Sequence, residues 1–462
     1  MKKIIFSKVG ILLAAMVLIN TALRAQNWLA PKSLTVHGAV TTNATFQKAK
    51  PLGLDTLISM GKDIGSNRYC FTLWKNGDTF GKMNLITSSN IEISDFAVFS
   101  DTIYFCGRRL VSQGTYVGII GYFTTDMFNG AGNPTYRIAN INNTSNLTKL
   151  IVCPKPSSHI IFVSAIGLYN NPTNGIQGRY VFLDHDYINN STNYRVISAP
   201  TYTTNRELFQ DICLTDFSVV TISRIYPGNE LIVRVFDRTY PASNLVSNRF
   251  NLQNLSLFYT SDPYEYPVHI TALNGDTIAL SVGATDGPND FTMVSKLYAQ
   301  SQNIISNQLI YHFDKESKVL EMDYSRETNK LLLLTSNNFQ GQGIKQTVNI
   351  LNPDALQPYI AKIEAIQPPS ELNQLCVLPS QRYALAGIYL GGSSVSYNLL
   401  SIKYIPTTLS QCIANYQTNI NFTSTAQATA EPTFTMPIAV TASWNQNTFN
   451  TYTISWNTDC VE

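Results

Sequence analysis

Short apolar runs alternate with turn residues along most of the chain, and no long helical period competes with them. "SDTIYFCG" at 100–107 is a turn followed by a strand, and "LDTLISMG" at 54–61 and "GDTIALSVG" at 275–283 resemble it. The first apolar residues of these strands recur at Leu57, Ile103, Ile160, Val219, Ile278, Leu331 and Ala384. A regular recurrence of this kind, with only short strands, predicts β-propeller blades, because one such sheet cannot cover its own faces.

Each unit has the same predicted order of inner, second, third and outer strands. In one unit these are residues 96–99, 102–107, 116–123 and 135–141. The sequence therefore predicts an all-β fold, with a seven-bladed β-propeller over residues 26–410.

The first unit allows an alternative. Residues 34–40 are its predicted inner strand, but they match the pattern weakly. If the N-terminal strands instead complete the last blade by strand exchange, we expect six blades.

The C-terminal segment, residues 411–462, departs from the repeat. Residues 438–444 and 451–456 alternate apolar and polar positions, which predicts a small β-hairpin extension laid on the ring. Cys412 and Cys460 bracket the segment and are a predicted disulfide pair.

The first residues have the composition of a secretory signal. Two lysines precede an apolar run at 11–19, and small residues follow, so residues 1–25 are a predicted signal peptide. We expect an exported protein with no membrane insertion after signal cleavage. Periplasm, cell surface and extracellular medium all remain open.

Charge and motifs narrow the function classes. The formal net charge is +2 without long basic runs, which argues against a nucleic-acid partner. The chain has no P-loop, HExxH, GxSxG, CxxC or dinucleotide signature, and its histidines lack metal-ligand spacing. We expect no cofactor and no metal, and a binding protein more than an enzyme.

One pattern comes from aligning the repeats. The residue just before the inner strand is polar in six units, at Asp95, Lys149, Asp211, His269, Glu321 and Gln374. Inner strands of a propeller surround its channel, so these side chains are predicted to form a mixed-charge ring at the channel mouth. Such a ring suits a sugar or a cation, or acid and base chemistry. Strand starts beside a wet channel are also polar without any function.

The loops between second and third strands should share that face. They place arginine and tyrosine side chains there, which favour carboxylates and sugar rings respectively. The candidate binding residues are Arg108, Arg224 and Tyr226.

The stretch from Asp95 to Phe123, "DFAVFSDTIYFCG" followed by "GIIGYF", resembles secreted Gram-negative bacterial proteins with Kelch-like or galactose-oxidase-central-domain-like propellers. The resemblance covers about 90–404 and implies a fold and a compartment. It implies no activity, since only Gly391-Gly392 matches the Kelch glycine pair and no copper ligands can be placed.

The leading hypothesis is an exported monomeric binding protein that presents a loop-rich face to a glycan or protein ligand. One alternative is a glycosidase or lyase that uses two of Asp95, Asp211 and Glu321. Another is a scaffold in an envelope complex, with the C-terminal hairpin as its contact.

Overall fold

The chain forms antiparallel β-sheets almost throughout the part that the computed structural model describes. Apart from one 3₁₀ turn, Thr125–Asn129, every regular element described is a strand. No helix among the described residues is long and apolar enough to span a bilayer. The described residues are 34–38, 44–54, 56–63, 68–75, 84–129, 134–155, 158–171, 175–186, 191–200, 205–228, 230–241, 244–251, 256–257, 268–285, 290–299, 305–311, 318–339, 343–354, 357–360, 370–379, 381–391, 395–405, 419–420, 427–430, 440–448, 450–452 and 457–460.

Seven sheets are present in these residues, numbered here by the chain order of their inner strands. The first strand, β1 (Leu34–Gly38), belongs to sheet 7. Sheet 1 contains β2 (Ala44–Gly53), β3 (Thr56–Asp63), β4 (Arg68–Lys75) and β5 (Asn84–Ile86). Sheet 2 contains β6 (Ile91–Phe99), β7 (Thr102–Ser112), β8 (Thr115–Thr124) and β9 (Thr135–Ile141). Sheet 3 contains β10 (Asn146–Pro154), β11 (Ile160–Asn171), β12 (Gly175–Asp186) and β13 (Ser191–Ser198).

The remaining sheets continue this order. Sheet 4 contains β14 (Arg206–Leu214), β15 (Ser218–Tyr226), β16 (Glu230–Asp237) and β17 (Asn244–Asn251). Sheet 5 contains β18 (Ser256–Leu257), β19 (His269–Ala272), β20 (Thr277–Thr285), β21 (Asp290–Tyr298) and β22 (Ile305–Tyr311). Sheet 6 contains β23 (Lys318–Ser325), β24 (Lys330–Phe339), β25 (Gly343–Asn352) and β26 (Gln357–Ile360). Sheet 7 contains β27 (Ser370–Leu378), β28 (Arg382–Gly391) and β29 (Val395–Tyr404), followed by β1.

The N-terminal strand corrects the predicted first unit. Residues 34–38 form β1, which pairs with β29 as the fourth strand of sheet 7 and not as the inner strand of sheet 1. The sheet count does not fall to six, because β2 supplies the inner strand of sheet 1. The alternative prediction combined strand exchange with six blades, and this combination was wrong.

Neighbouring sheets pack face to face through apolar side chains. Between sheets 1 and 2, Phe71 lies 5.7 Å from Phe96 and 6.0 Å from Phe105, measured between ring centroids. Comparable buried apolar clusters join sheets 2 and 3, 3 and 4, 4 and 5, 5 and 6, and 6 and 7. Between sheets 7 and 1, the buried Arg382 donates a 2.6 Å hydrogen bond to the carbonyl of Leu54. Each sheet thus covers the apolar face that its neighbour cannot cover alone.

The inner strands contact one another in a closed series. In the order β2, β6, β10, β14, β19, β23 and β27, each contacts the next, and β27 contacts β2.

A β-bulge occurs at the same place in six inner strands. The pairing register shifts by one residue at positions 47, 94, 148, 210, 320 and 373. In sheet 5 the inner strand is divided at this place into β18 and β19, and both strands pair with β20. A bulge bends the strand and redirects the side chain that follows it.

Glycine on the second strand permits these bulges. Gly61, Gly107, Gly167 and Gly387 each pair with the residue just before a bulge. A Cβ atom on Gly107 would lie 1.9 Å from the carbonyl oxygen of Glu92, and one on Gly167 would lie 2.1 Å from that of Asn146. The glycine that ends "TIYFCG" is therefore required by close backbone approach.

The C-terminal segment corrects the predicted hairpin. Its described strands are β30 (Asn419–Ile420), β31 (Gln427–Ala430), β32 (Val440–Thr441), β33 (Asn445–Thr448), β34 (Asn450–Tyr452) and β35 (Asn457–Cys460). They pair with the outer strands of sheets 5, 4, 3, 2, 1 and 7 in that order, and not with one another. We call these six strands the C-terminal belt, because they add edge strands to successive sheets.

Aromatic packing holds the belt on sheets 2 and 3. The ring centroid of Trp444 lies 4.9 Å from that of Tyr122 and 5.3 Å from that of His185. Its indole Nε1 donates a 2.6 Å hydrogen bond to Oγ1 of Thr192.

Two predictions fall outside the described residues. The signal peptide, residues 1–25, is one of them, and Cys412 of the predicted Cys412–Cys460 disulfide is the other. Both stay predictions.

Candidate ligand site

The side chains that follow the bulges lie together around one cavity of about 310 Å³. The six residues predicted from the repeat alignment occupy this position in sheets 2 to 7, and Lys48 occupies it in sheet 1. We call them the ring residues: Lys48, Asp95, Lys149, Asp211, His269, Glu321 and Gln374. All except His269 line the cavity directly, and His269 lies beside two that do.

Ion pairs join neighbouring sheets within the ring. Lys48 Nζ lies 2.9 Å from Asp95 Oδ1, which links sheets 1 and 2. Lys149 Nζ lies 2.8 Å from Asp211 Oδ1, which links sheets 3 and 4. All four side chains are at most 20% exposed, so water screens these pairs poorly.

The two aspartates also accept backbone hydrogen bonds from the following sheet. Asp95 Oδ2 accepts from the N–H of Leu150 at 3.1 Å, and Asp211 Oδ2 accepts from that of Ile270 at 2.9 Å. The ring therefore connects sheets as well as lining a cavity. Removal of either carboxylate would leave buried donors without partners.

The Lys149–Asp211 pair is held in its charged form. Burial alone would raise the pKa of Asp211, but Lys149 and His269 outweigh burial and hold that pKa well below its usual range. Burial would likewise lower the pKa of Lys149, but Asp211 and Glu321 outweigh it and raise that pKa. Asp211 is thus a poor proton donor.

His269 lies between two carboxylates. Its side chain is 5% exposed, and Nδ1 is 3.5 Å from Asp211 Oδ2 and 4.0 Å from Glu321 Oε1. Because both distances start at one nitrogen atom, the two carboxylate oxygens cannot be farther apart than the two distances combined. Within the described part of the chain, neither ring nitrogen makes a hydrogen bond.

Glu321 differs from the two aspartates. Gln374 Nε2 donates a 2.9 Å hydrogen bond to its Oε2. Among the residues that the structure describes, no lysine or arginine lies within 4.0 Å of this carboxylate. Its side chain is 16% exposed, so it is accessible from the cavity.

A second layer lies two residues further along the inner strands, where side chains return to the same face. It contributes Lys50 and Asp323 to the cavity wall, together with Ile151, Cys213 and Thr271. Burial opposes the charge of Lys50, but Asp95, Glu321 and Asp323 outweigh it and raise the pKa of this lysine. Burial raises the pKa of Asp323 in spite of Lys50 and the N–H groups of Val377 and Tyr324.

The three loop-face candidates do not line the cavity. Antiparallel pairing places Arg108, Arg224 and Tyr226 at the same end of their sheets as the ring, but farther from it. Arg108 pairs with Glu92 at 2.6 Å and lies over the ring of Tyr116. Arg224 is only 3% exposed, which leaves it little surface for a ligand.

The described residues contain no group of three or more His, Cys, Asp or Glu that could hold a metal ion. Asp184 in β12 accepts the backbone N–H of Asn193, its partner in β13, at 3.1 Å. His185 accepts or donates a 3.1 Å hydrogen bond with Tyr104.

Sequence reasoning missed Lys48, Lys50 and Asp323. The two lysines were missed because the inner strand of the first unit was placed at 34–40. The available signal was the i, i+2 spacing of charges in "QKAKP" at 47–51 and in "LEMDY" at 320–324.

No protein-family model matches the sequence, and no curated protein matches it either. Among solved structures, the chain is similar to one described as "Structural and Mechanistic Analysis of Two Prolyl Endopeptidases: Role of Inter-Domain Dynamics in Catalysis and Specificity". The identity is 9% and the TM-score 0.44, over 84% of this chain and 51% of that chain. The chain thus spans about half the length of that neighbour, and the likeness carries no argument about activity.

Proposed function

We propose that the chain is an exported seven-bladed β-propeller that binds a hydroxyl-rich ligand, a sugar residue of a glycan, in the cavity between its inner strands. The closed series of inner-strand contacts supports seven blades around one axis. The N-terminal strand in sheet 7 supports closure by strand exchange. The predicted signal peptide supports export, and the resemblance to secreted Kelch-like propellers agrees with it.

The observation that carries the proposal is the mixture of ion pairs and polar groups in the ring. Lys48 and Lys149 are each paired with an aspartate, so neither lysine is left unpaired to meet an anionic ligand. The cavity nevertheless offers donors from ammonium and amide groups and acceptors from carboxylates. Hydroxyl groups both donate and accept, so they suit such a lining. A volume of about 310 Å³ is at the lower end for ligand pockets, which favours one or two sugar residues.

Binding suits the ring better than catalysis. A glycosidase needs one carboxyl group with a raised pKa as general acid, and the pKa of Asp211 is lowered. Burial raises the pKa of Asp323, but both of its oxygens accept backbone N–H groups, from Tyr324 and Val377. Asp95 is committed to Lys48 and to Leu150. These contacts make the aspartates structural and electrostatic elements of the wall.

One observation favours the enzyme alternative. Carboxylate oxygens of Asp211 and Glu321 lie 3.5 Å and 4.0 Å from the same nitrogen of His269. This geometry is compatible with the separation of about 5–9.5 Å between the acid and base carboxyl groups of glycosidases. A glycosidase or lyase is therefore the second candidate. The scaffold alternative relied on a C-terminal hairpin as its contact with a partner. The described C-terminal strands instead lie on sheet edges and do not form a hairpin.

A glycan array with residues 26–462 tests the proposal. We expect binding to a defined set of glycans that falls at least tenfold in Lys149→Met, since this variant removes a donor and exposes the Asp211 charge to the ligand. Glu230→Gln, on the partly exposed pair with Arg249, is the matched control and should bind like the wild type. Binding that is equal in all three proteins would place the ligand elsewhere, and turnover of a bound glycan would favour the enzyme.

A further inference from the structure

The carboxylates of the cavity divide into two kinds. Asp95 and Asp211 each have a lysine within 2.9 Å. Glu321 and Asp323 have no lysine or arginine within ion-pair distance among the described residues. They are two residues apart on β23, so both face the cavity on the wall that sheet 6 forms.

The charges of the cavity do not balance. Four cations, Lys48, Lys50, Lys149 and Arg326, and four carboxylates, Asp95, Asp211, Glu321 and Asp323, line the cavity. Arg326 is already paired at 2.8 Å with Asp216, which lies outside the lining. The three lysines therefore face four carboxylates, which leaves a net charge of −1 before any charge on His269 is counted. The surplus lies on the sheet 6 wall, because Lys48 and Lys149 already bind the two aspartates and only Lys50 remains to act on both Glu321 and Asp323. Burial raises the pKa of Asp323 in spite of Lys50, and the neighbouring Glu321 raises it further.

His269 independently indicates a missing partner at this wall. Only 5% of its side chain is exposed, and neither nitrogen makes a hydrogen bond within the described residues. Buried polar groups almost always have a partner. Nδ1 lies 4.0 Å from Glu321 Oε1, so a donor placed beside Glu321 is also within reach of the imidazole.

We infer that the sheet 6 wall binds a protonated primary amine, so that the ligand is an amino sugar with a free amine. An ammonium group has three donors, and the carboxylate oxygens of Glu321 and Asp323 offer acceptors for them. The sugar hydroxyls then meet Lys149 and Lys48, and Gln374 lies beside Glu321. This inference rests on the proposed function and specifies the class of sugar.

An amine fits this wall better than a divalent cation does. The described residues hold no group of three or more metal-ligating side chains. Lys50 also faces the same cavity and would repel a doubly charged ion more than a singly charged one. An ammonium group adds one positive charge, which balances the cavity.

Calorimetric titration of residues 26–462 with three related sugars tests the inference. Glucosamine carries the amine, glucose has a hydroxyl group in its place, and N-acetylglucosamine has an uncharged amide there. We expect glucosamine to bind about ten- to a hundredfold more tightly than either of the others, the range for a charge-assisted hydrogen bond. The preference should disappear in Glu321→Gln and in Asp323→Asn, and Glu230→Gln should retain it.

Each contrary outcome separates this inference from the proposed function. Equal binding of the three sugars, or retention of the preference in Glu321→Gln, overturns the amine and leaves a sugar site. Competition by Ca²⁺ with glucosamine overturns the amine in favour of a metal. Binding of none of the sugars, with an empty glycan array, overturns both. Thermal melting of each variant shows whether it is folded.

Discussion

The buried Lys149–Asp211 pair should couple sheets 3 and 4 energetically. Asp211 receives a 2.8 Å contact from Lys149 and backbone hydrogen bonds from Ile212 and Ile270 at 2.8 and 2.9 Å. Asp211→Asn keeps one acceptor oxygen, so it loses the ion pair and leaves one buried N–H without a partner. A charge-assisted bond contributes about 1.5–3 kcal/mol and an unsatisfied donor costs about 1–3 kcal/mol, which together give about 2.5–6 kcal/mol. This range includes the value of about 3–5 kcal/mol for removal of one partner of a buried pair.

The double variant isolates the pair. Lys149→Met leaves Asp211 with its two backbone donors, so its cost should be lower, about 2–3 kcal/mol. In Asp211→Asn with Lys149→Met no charge is stranded, and the cost should fall about 1.5–3 kcal/mol below the sum of the single costs. The partly exposed pair between Arg249 and Glu230 is the control, and Glu230→Gln should cost less than about 1 kcal/mol.

Scanning calorimetry supported by urea unfolding measures these differences. For about 430 residues the entropy of unfolding is about 0.9 kcal/mol per kelvin, so 4 kcal/mol lowers Tm by about 4–5 °C. Single costs that simply add, with coupling below about 0.5 kcal/mol, would show that the pair does not couple the two sheets. The pKa of Asp211 is lowered by folding, so its stabilisation is present above the unfolded pKa and is lost as pH falls below it. The wild type and Asp211→Asn should therefore converge in stability in acid.

Further predictions concern the bulge, the belt and acid stability. Gly107→Ala should lower the free energy of unfolding by about 2 kcal/mol or more in urea titrations, because its Cβ would overlap a backbone carbonyl. Gly53→Ala is the control and should be near neutral, since a Cβ there meets open space. Equal costs of the two variants would contradict this. Trp444→Ala should speed amide hydrogen exchange in the belt strands β32 and β33, because it removes the indole contacts with Tyr122 and Thr192. Val440→Ala should not, since the Val440 side chain is exposed. Unchanged exchange in both variants would show that the indole does not hold the belt. Burial lowers the pKa of His185 from 6.5 to about 4, so between these pH values only the unfolded chain binds a proton at this residue. The free energy of unfolding should therefore fall by up to about 3 kcal/mol as the pH decreases from 6.5 to 4. An equal pH dependence in His185→Phe would contradict this.

The strands of the repeat were predictable because each is a local pattern. An uninterrupted apolar run after a turn, as at Ile103 and Ile278, predicts a strand that is buried on both faces. The ring position was predictable for the same reason, because Asp95 and Asp211 precede such runs. The bulge that turns their side chains toward the cavity is not visible in single residues, although the recurring glycine of the second strand marks it.

The belt was not predictable because its pairing is long-range and its strands are short. Val440 and Thr441 pair with β13, which lies far earlier in the chain, at Ser191–Ser198. The alternation at 438–444 was interpreted as half of a hairpin, since sequence alone favours the nearest partner. A preformed sheet edge accepts any extended segment, so a very short strand needs little intrinsic β propensity. Lys48 was missed for a related reason, because β1 looked like an inner strand and pairs instead with β29.

A crystal structure of residues 26–462 with the bound sugar most directly tests the claim that the ring residues form a ligand site. We expect electron density inside the cavity, with sugar hydroxyl oxygens within hydrogen-bond distance of Lys149 Nζ and the sugar against Glu321. Density on the outer face or along the belt, with the cavity free of ligand, would contradict it.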